Sequence, residues 1–354
     1  MNAASPRYAV NATSLPHSTV WQDIDDIAAT GAEGIGLWER KLPDGADADV
    51  AARLSEAGLA ATYCVPALHC VLPSQVDPPG APQDQATRRA LIAASIRRLA
   101  AFRPAAVLIA PGASGDPAHP AGPVEAVADA LVELADVAAS CGVPIGVELL
   151  AARRGATISS LPALVGLLDD IGLDNLGVMF SVFHSWSEPD LHENLLRYGH
   201  RINSVQVCDI REQERSPFDR ELPGLGRGVA PGIMATLLRA GYRGWWELEI
   251  FSDDGTYGTA LPDSYWAMPP RDFLARAKKA FDQSYALATS RGSKELNRLF
   301  RTGAGTLPPF GIICLSFLAL LVPSCRRPVR TRRGGRPAEA RRAGTCPRPR
   351  GSGR

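Results

Sequence analysis

The sequence predicts an α/β chain: a single (β/α)8 TIM barrel over residues 1–290, followed by a disordered C-terminal tail over residues 291–354. Three observations predict it. Eight short apolar runs alternate with stretches whose apolar residues recur at helical spacing. The runs are apolar at successive positions, as strands of a parallel sheet covered by helices should be. The composition changes abruptly after Gly292.

The elements follow in order. The first run starts at Tyr8 (YAVNAT), and the helix behind it has Ser18 as a candidate cap and Gly31 to close it. The second and third runs start at Gly34 (GIGLW) and Ala61 (ATYCVPA). Leu91 or Ile92, Ile96, Leu99 and Phe102 mark a helix before the fourth run at Ala105 (AAVLIAPG). Val124, Val127, Leu131, Leu134 and Val137 mark the next helix, ahead of the fifth run at Pro144 (PIGVELL). Ser159 or Ser160 can cap the helix that follows, with Pro162 tolerated in its first turn. The sixth and seventh runs start at Leu176 (LGVMFS) and Asn203 (NSVQVCD). Gly241 ends the next helix, and Gly244 turns the chain into the eighth run at Trp245 (WWELEIF). Leu274, Ala277, Phe281 and Tyr285 form the last amphipathic helix. A doubly wound open sheet would instead want a Gly-rich phosphate loop after an early strand. The segment GASG at Gly112–Gly115 is too short for one.

The net charge of +1 hides an asymmetry. Residues 325–354 hold eleven Arg and one Glu, which leaves −9 for the rest of the chain. An acidic body lacks a bulk footprint for nucleic acid, so no nucleic-acid partner is expected. Arg, Pro and Gly in the tail offer almost nothing to bury. Its apolar run Phe310–Val322 has thirteen residues, short of the roughly 20 that span a bilayer. Three origins fit this segment: a shifted or misjoined reading frame, a natural disordered tail, or an anchor with a basic flank. No membrane partner is expected for the body. Seven cysteines without a CxxC pattern, and an N-terminus without a signal-peptide core, point to reduced thiols in a cytoplasmic protein.

In a barrel of this kind, chemistry sits at the C-terminal ends of the strands. The fifth run delivers Glu148, the sixth Ser181 and then His184, the seventh Gln206 and then Asp209, the eighth Glu247 and Glu249. A carboxylate inside an apolar run is costly unless a metal, a cation or hydrogen bonds compensate it. Glu148 and Glu249, on different strands, converge only if the barrel closes. Glu247 reads as structural, one layer deeper than Glu249, and Asp209 fits capping the next loop as well as it fits chemistry. Arg220 precedes the Pro-Gly turns of DRELPGLGRG, a placement that can bend a guanidinium over the barrel mouth. Trp38, Trp186 and Trp266 offer apolar walls for a sugar pocket. The remaining histidines, His17, His69, His119, His192 and His200, are scattered and carry no expected role.

The segments VELL, FSVFHSW, VQVCD, RELPGLG and GYRGWWELEIFSDDG resemble the xylose-isomerase-like barrel family, over about Tyr8 to Ala288. That family holds sugar and sugar-phosphate isomerases and epimerases, with inosose dehydratase relatives. The resemblance implies a divalent ion (Mn2+, Co2+ or Mg2+) held by Glu148, Ser181, Gln206 and Glu249. Ser181 stands where the family has aspartate and Gln206 where it has histidine, so two negative charges replace three. Metal affinity is therefore expected to be weakened, with Ser181 a weak or water-mediated ligand. The resemblance also implies that Glu148 and Glu249 are the catalytic pair, and that His184 and Arg220 contact a sugar or polyol substrate, with Trp186 beside them. The activity implied is isomerisation or epimerisation by metal-assisted proton transfer next to a carbonyl. A lyase of the inosose dehydratase type and a degenerate sugar-binding barrel are the alternatives. A homo-oligomer is compatible with all three. An endonuclease of the related branch would need many more histidines at the strand ends.

Overall fold

A computed structural model of the protein describes residues 6–290. The tail expected over 291–354, with its apolar run, lies outside the described residues. The expected barrel is present. Its strands are β1 (Tyr8–Asn11), β2 (Gly34–Gly36), β3 (Ala60–Ala61), β4 (Tyr63–Cys64), β5 (Ala106–Ile109), β6 (Ile145–Glu148), β7 (Leu176–Ser181) and β8 (Ile202–Val207). A short antiparallel pair, β9 (Asp209–Ile210) and β10 (Arg220–Glu221), precedes the last barrel strand, β11 (Trp246–Leu248). The barrel order is β3-β2-β1-β11-β8-β7-β6-β5-β4, all parallel.

The ring closes through Thr62. β3 pairs with β2 and β4 with β5, so the third strand position is one path bent at this residue. The Thr62 N–H donates to the Ile35 carbonyl at 2.8 Å, and its own carbonyl accepts from Ala106 N–H at 3.2 Å. The break is thus a kink, and the sequence's eight runs correspond to eight barrel positions.

The helices α1 (Val20–Ala28), α2 (Asp47–Ala57), α3 (Gln85–Leu99), α4 (Val124–Ser140), α5 (Leu161–Ile171), α6 (Val182–Ser185), α7 (Leu191–Tyr198), α8 (Ala230–Arg239) and α9 (Pro270–Ser290) are spaced between and after the strands. Their apolar stripes make the main core against the strands: Ile92, Ile96 and Leu99 from α3, and Val127, Leu131 and Leu134 from α4, are fully buried. Leu91 is exposed, so Ile92 is the core residue of that pair. Ser160 caps α5 through Ala163 N–H, as expected. The α1 cap is Thr19 rather than Ser18. Thr19 and Gln22 exchange hydrogen bonds in a capping box, while Ser18 donates to the Leu15 carbonyl.

Inside the barrel, alternate residues of the last strand stack by depth. Trp245 packs with Tyr63, Leu108 and Met179 in the apolar floor. Glu247 comes next and is wholly buried. It accepts from Asn11 Nδ2 at 2.7 Å, from Tyr63 N–H at 3.2 Å, and from the Thr62 hydroxyl. Burial pushes its carboxyl up to about 8, against the pull of those three donors. This layer leaves no room at Gly36, where a Cβ would lie 2.6 Å from Glu247 Oε2. Glu247 is therefore structural. Thr62→Val keeps the shape and deletes one donor, so unfolding free energy should fall by about 1–3 kcal/mol. Urea titration checks it, and an unchanged midpoint would mean that this bond carries no stability.

Candidate active site

Glu249 is the next inward residue above Glu247 and follows β11 directly. Glu148 ends β6. Both face one cavity at the barrel mouth, with His184 and Arg220. Among the residues singled out in the sequence, these four are brought together, and Trp38 also lines the cavity. Glu249, Arg220 and Glu148 are 5%, 5% and 7% exposed, so their charges act on one another with little screening.

The β9–β10 pair positions Arg220. Its N–H donates to the Phe251 carbonyl at 2.8 Å, and its Nη1 pairs with the Glu249 carboxylate. The guanidinium lies between two phenyl rings, 4.6 Å from the centroids of both Phe183 and Phe251. Sequence reasoning missed both rings. They sit beside the polar residues of FSVFHSW and WWELEIF, but only the fold turns them onto one cation. Burial opposes the Arg220 charge, but the charge and hydrogen bond of Glu249, with Cys208 and Glu148, together outweigh it, so its pKa is raised.

Burial, then the charge of Glu249, pushes the Glu148 carboxyl up to about 8, while Arg220 pulls the other way. His184 Nε2 lies 3.7 Å from Glu148 Oε1, too long for a hydrogen bond without movement. Burial and then the charges of Arg220, Arg154 and Arg153 hold His184 well below the usual histidine range, so it is neutral. His69, for which no role was expected, also lines the cavity, and burial pulls it down to about 4.

Other expectations resolve differently. Asp209 accepts from the backbone N–H groups of Gly224, Val229 and Ala230 at 3.0, 3.2 and 3.1 Å, so it ties the Pro-Gly turn to the start of α8. Trp186 does not line the cavity; Arg227 stacks on it at 4.8 Å. Trp266 packs behind Phe251 and donates to the Ile250 carbonyl. Ser181 and Gln206 are paired in register across β7 and β8, but both are buried and outside the cavity lining. The Ser181 hydroxyl and both Gln206 amide atoms have no hydrogen-bond partner among the described residues.

The donors that the resemblance assigns to a divalent ion do not fit one. Of Glu148, Ser181, Gln206 and Glu249, only the two glutamates reach the cavity. Glu249 is already answered by Arg220, and an ion bound there would have to compete with a fixed guanidinium. Among the described residues, no three His, Cys, Asp or Glu side chains group as a metal site.

The chain matches the xylose isomerase-like TIM barrel family over residues 24–277 and belongs to that family. Its fold is similar to several solved structures at low identity. The IolI protein, with a bound zinc atom, is 17% identical with a TM-score of 0.66, covering 81% of this chain and 99% of that one. D-psicose 3-epimerase in the presence of D-fructose is 17% identical with a TM-score of 0.64, covering 80% of this chain and 99% of that one. D-allulose 3-epimerase from Methylomonas sp. in complex with D-allulose is 19% identical with a TM-score of 0.60, covering 79% and 97%. No curated protein sequence matches the chain. Among the described residues, no helix is long and apolar enough to cross a membrane.

Proposed function

We propose that the protein is an isomerase or epimerase of a sugar, sugar phosphate or related polyol, moving a proton next to a carbonyl. The observation that carries this reading is that Glu148, buried and approached only by neutral His184 at 3.7 Å, shares one cavity with a fixed Arg220–Glu249 unit. Glu148, as its carboxylate, takes the carbon-bound proton. Arg220, whose Nε is buried without a partner among the described residues, stabilises the negative charge that develops on the carbonyl oxygen. Glu249, as a carboxylate, holds Arg220 in place, and Glu148, protonated by the first transfer, returns the proton to the neighbouring carbon. Neutral His184 orients a substrate hydroxyl. The donor set does not suit a divalent ion, so Arg220 supplies the positive charge that faces the carbonyl oxygen. Membership of the family and the epimerase neighbours support the reaction class. The four described cysteines are free thiols, which supports a reducing, cytoplasmic setting.

A lyase that expels water is the second reading. It is favoured by the raised Glu148 carboxyl, which holds a proton at neutral pH and could deliver it to a departing hydroxyl. Incubation with a panel of ketoses in D2O tests both. Proton transfer next to the carbonyl should place one deuterium in recovered substrate and product, whereas dehydration gives a product lighter by one water. A panel in which no sugar exchanges or dehydrates would remove the support for either chemistry.

A further inference from the structure

We propose that the substrate is an anion, bearing a carboxylate or phosphoryl group, and that Arg154 with Arg40 forms the subsite for that group. The inference rests on the cavity being the active site and names the class of molecule it takes.

Three guanidiniums gather around one ring. The guanidinium carbons of Arg220, Arg153 and Arg154 lie 4.6, 5.3 and 5.8 Å from the Phe183 centroid. Two of these charges are answered within the protein: Arg220 by Glu249, and Arg153 by Glu214 at 3.3 Å. Arg154 has no ion pair among the described residues. Its Nη2 donates to the Pro217 carbonyl at 2.6 Å, which satisfies one N–H and leaves the charge unanswered. Arg154 lines the cavity, and so does Arg40. Arg40 likewise makes no ion pair among the described residues; its Nε donates to the Ala67 carbonyl at 2.9 Å and its guanidinium stacks over Trp38.

The cavity lining therefore carries Arg40, Arg154 and Arg220 against Glu148 and Glu249, and its histidines are neutral. Placing like charges together in a partly buried site is unfavourable. Burial pulls the Arg154 guanidinium down to about 10, and repulsion from Arg220 and Arg153 adds to that. A neutral sugar would leave this excess unanswered. A carboxylate or phosphoryl group would answer it with charge-assisted hydrogen bonds from planar donors. The body is acidic overall, so the positive field is confined to the cavity and selects a small anion rather than a polyanion.

Calorimetric titration of the full chain at low ionic strength tests the subsite, with inorganic phosphate and D-glycerate as probes and glycerol as the neutral control. At least one anion should bind and glycerol should not. Binding of phosphate alone identifies a phosphoryl subsite, and binding of glycerate alone a carboxylate subsite. Arg154→Met should weaken the bound anion about tenfold or more, and Arg154→Lys should recover part of the loss. Arg154 also holds the Pro217 carbonyl, so Arg40→Gln serves as a second variant that spares that loop, and it too should weaken binding. If neither anion binds, or if both Arg154→Met and Arg40→Gln bind as tightly as the unmodified protein, the subsite is not there. Binding is read without turnover, so a protein that binds the anion yet exchanges no deuterium would fail the proposed reaction and keep this inference.

Discussion

Glu148→Gln should lower turnover by about 100-fold or more, with little change in KM, because it removes the general base and keeps its size. The pH dependence gives the residue a signature. The base must be deprotonated to act, so kcat/KM of the unmodified protein should rise with pH through about 8, and the glutamine variant should lose that limb. Stability moves the opposite way. The folded-state carboxyl is raised from 4.5 to about 8, so folding favours its protonated form. Its contribution is fully present below 4.5 and is lost as pH rises through about 8. Glutamine is neutral throughout, so the variant should outlast the unmodified protein above pH 8 in thermal melts. A protein made slower and more alkali-tolerant by one substitution is what a carboxyl kept in an unfavourable place for chemistry predicts. Retained turnover in Glu148→Gln would remove this residue from the mechanism.

The barrel was legible because its strands are buried on both faces, and such strands appear as apolar runs with little interruption. The runs at Tyr8, Gly34 and Leu176 begin where β1, β2 and β7 begin. The kink at Thr62 was not legible, since ATYCVPA reads as one strand and the bend shows only in which neighbours its backbone bonds. The β9–β10 pair was missed for a related reason: two-residue strands carry no periodicity. At the site, Glu148 and Glu249 stood out because each is a carboxylate at the end of an apolar run. Arg154 did not, because it lies in the short turn after β6 and its meaning comes from Phe183, which α6 supplies. Ser181 and Gln206 illustrate the limit of carrying a ligand set across by alignment of motifs. Position on the strand was matched, but both side chains are buried away from the cavity lining.

Arg220→Met should be both the least active and the least stable of the single variants. The guanidinium and the Glu249 carboxylate are each nearly enclosed, so deleting one leaves the other as an uncompensated charge. Breaking such a pair costs about 3–5 kcal/mol, and methionine recovers only part of the packing between Phe183 and Phe251. Turnover should fall by about 100- to 1,000-fold, the range for losing one donor to a developing oxyanion. The two losses have different origins, and a double variant separates them. Arg220→Met with Glu249→Gln removes both charges, so urea titration should show much of the stability returning while turnover stays low. Arg220→Lys should not restore activity, because an ammonium on a flexible stem cannot stack between two rings and offer a second N–H to substrate at the same time. If Arg220→Met is as stable as the unmodified protein, Glu249 is not held as a charge by this arginine. If the double variant regains turnover along with stability, Arg220 acts only as a structural partner, and the positive charge facing the carbonyl oxygen must come from Arg154 or Arg40.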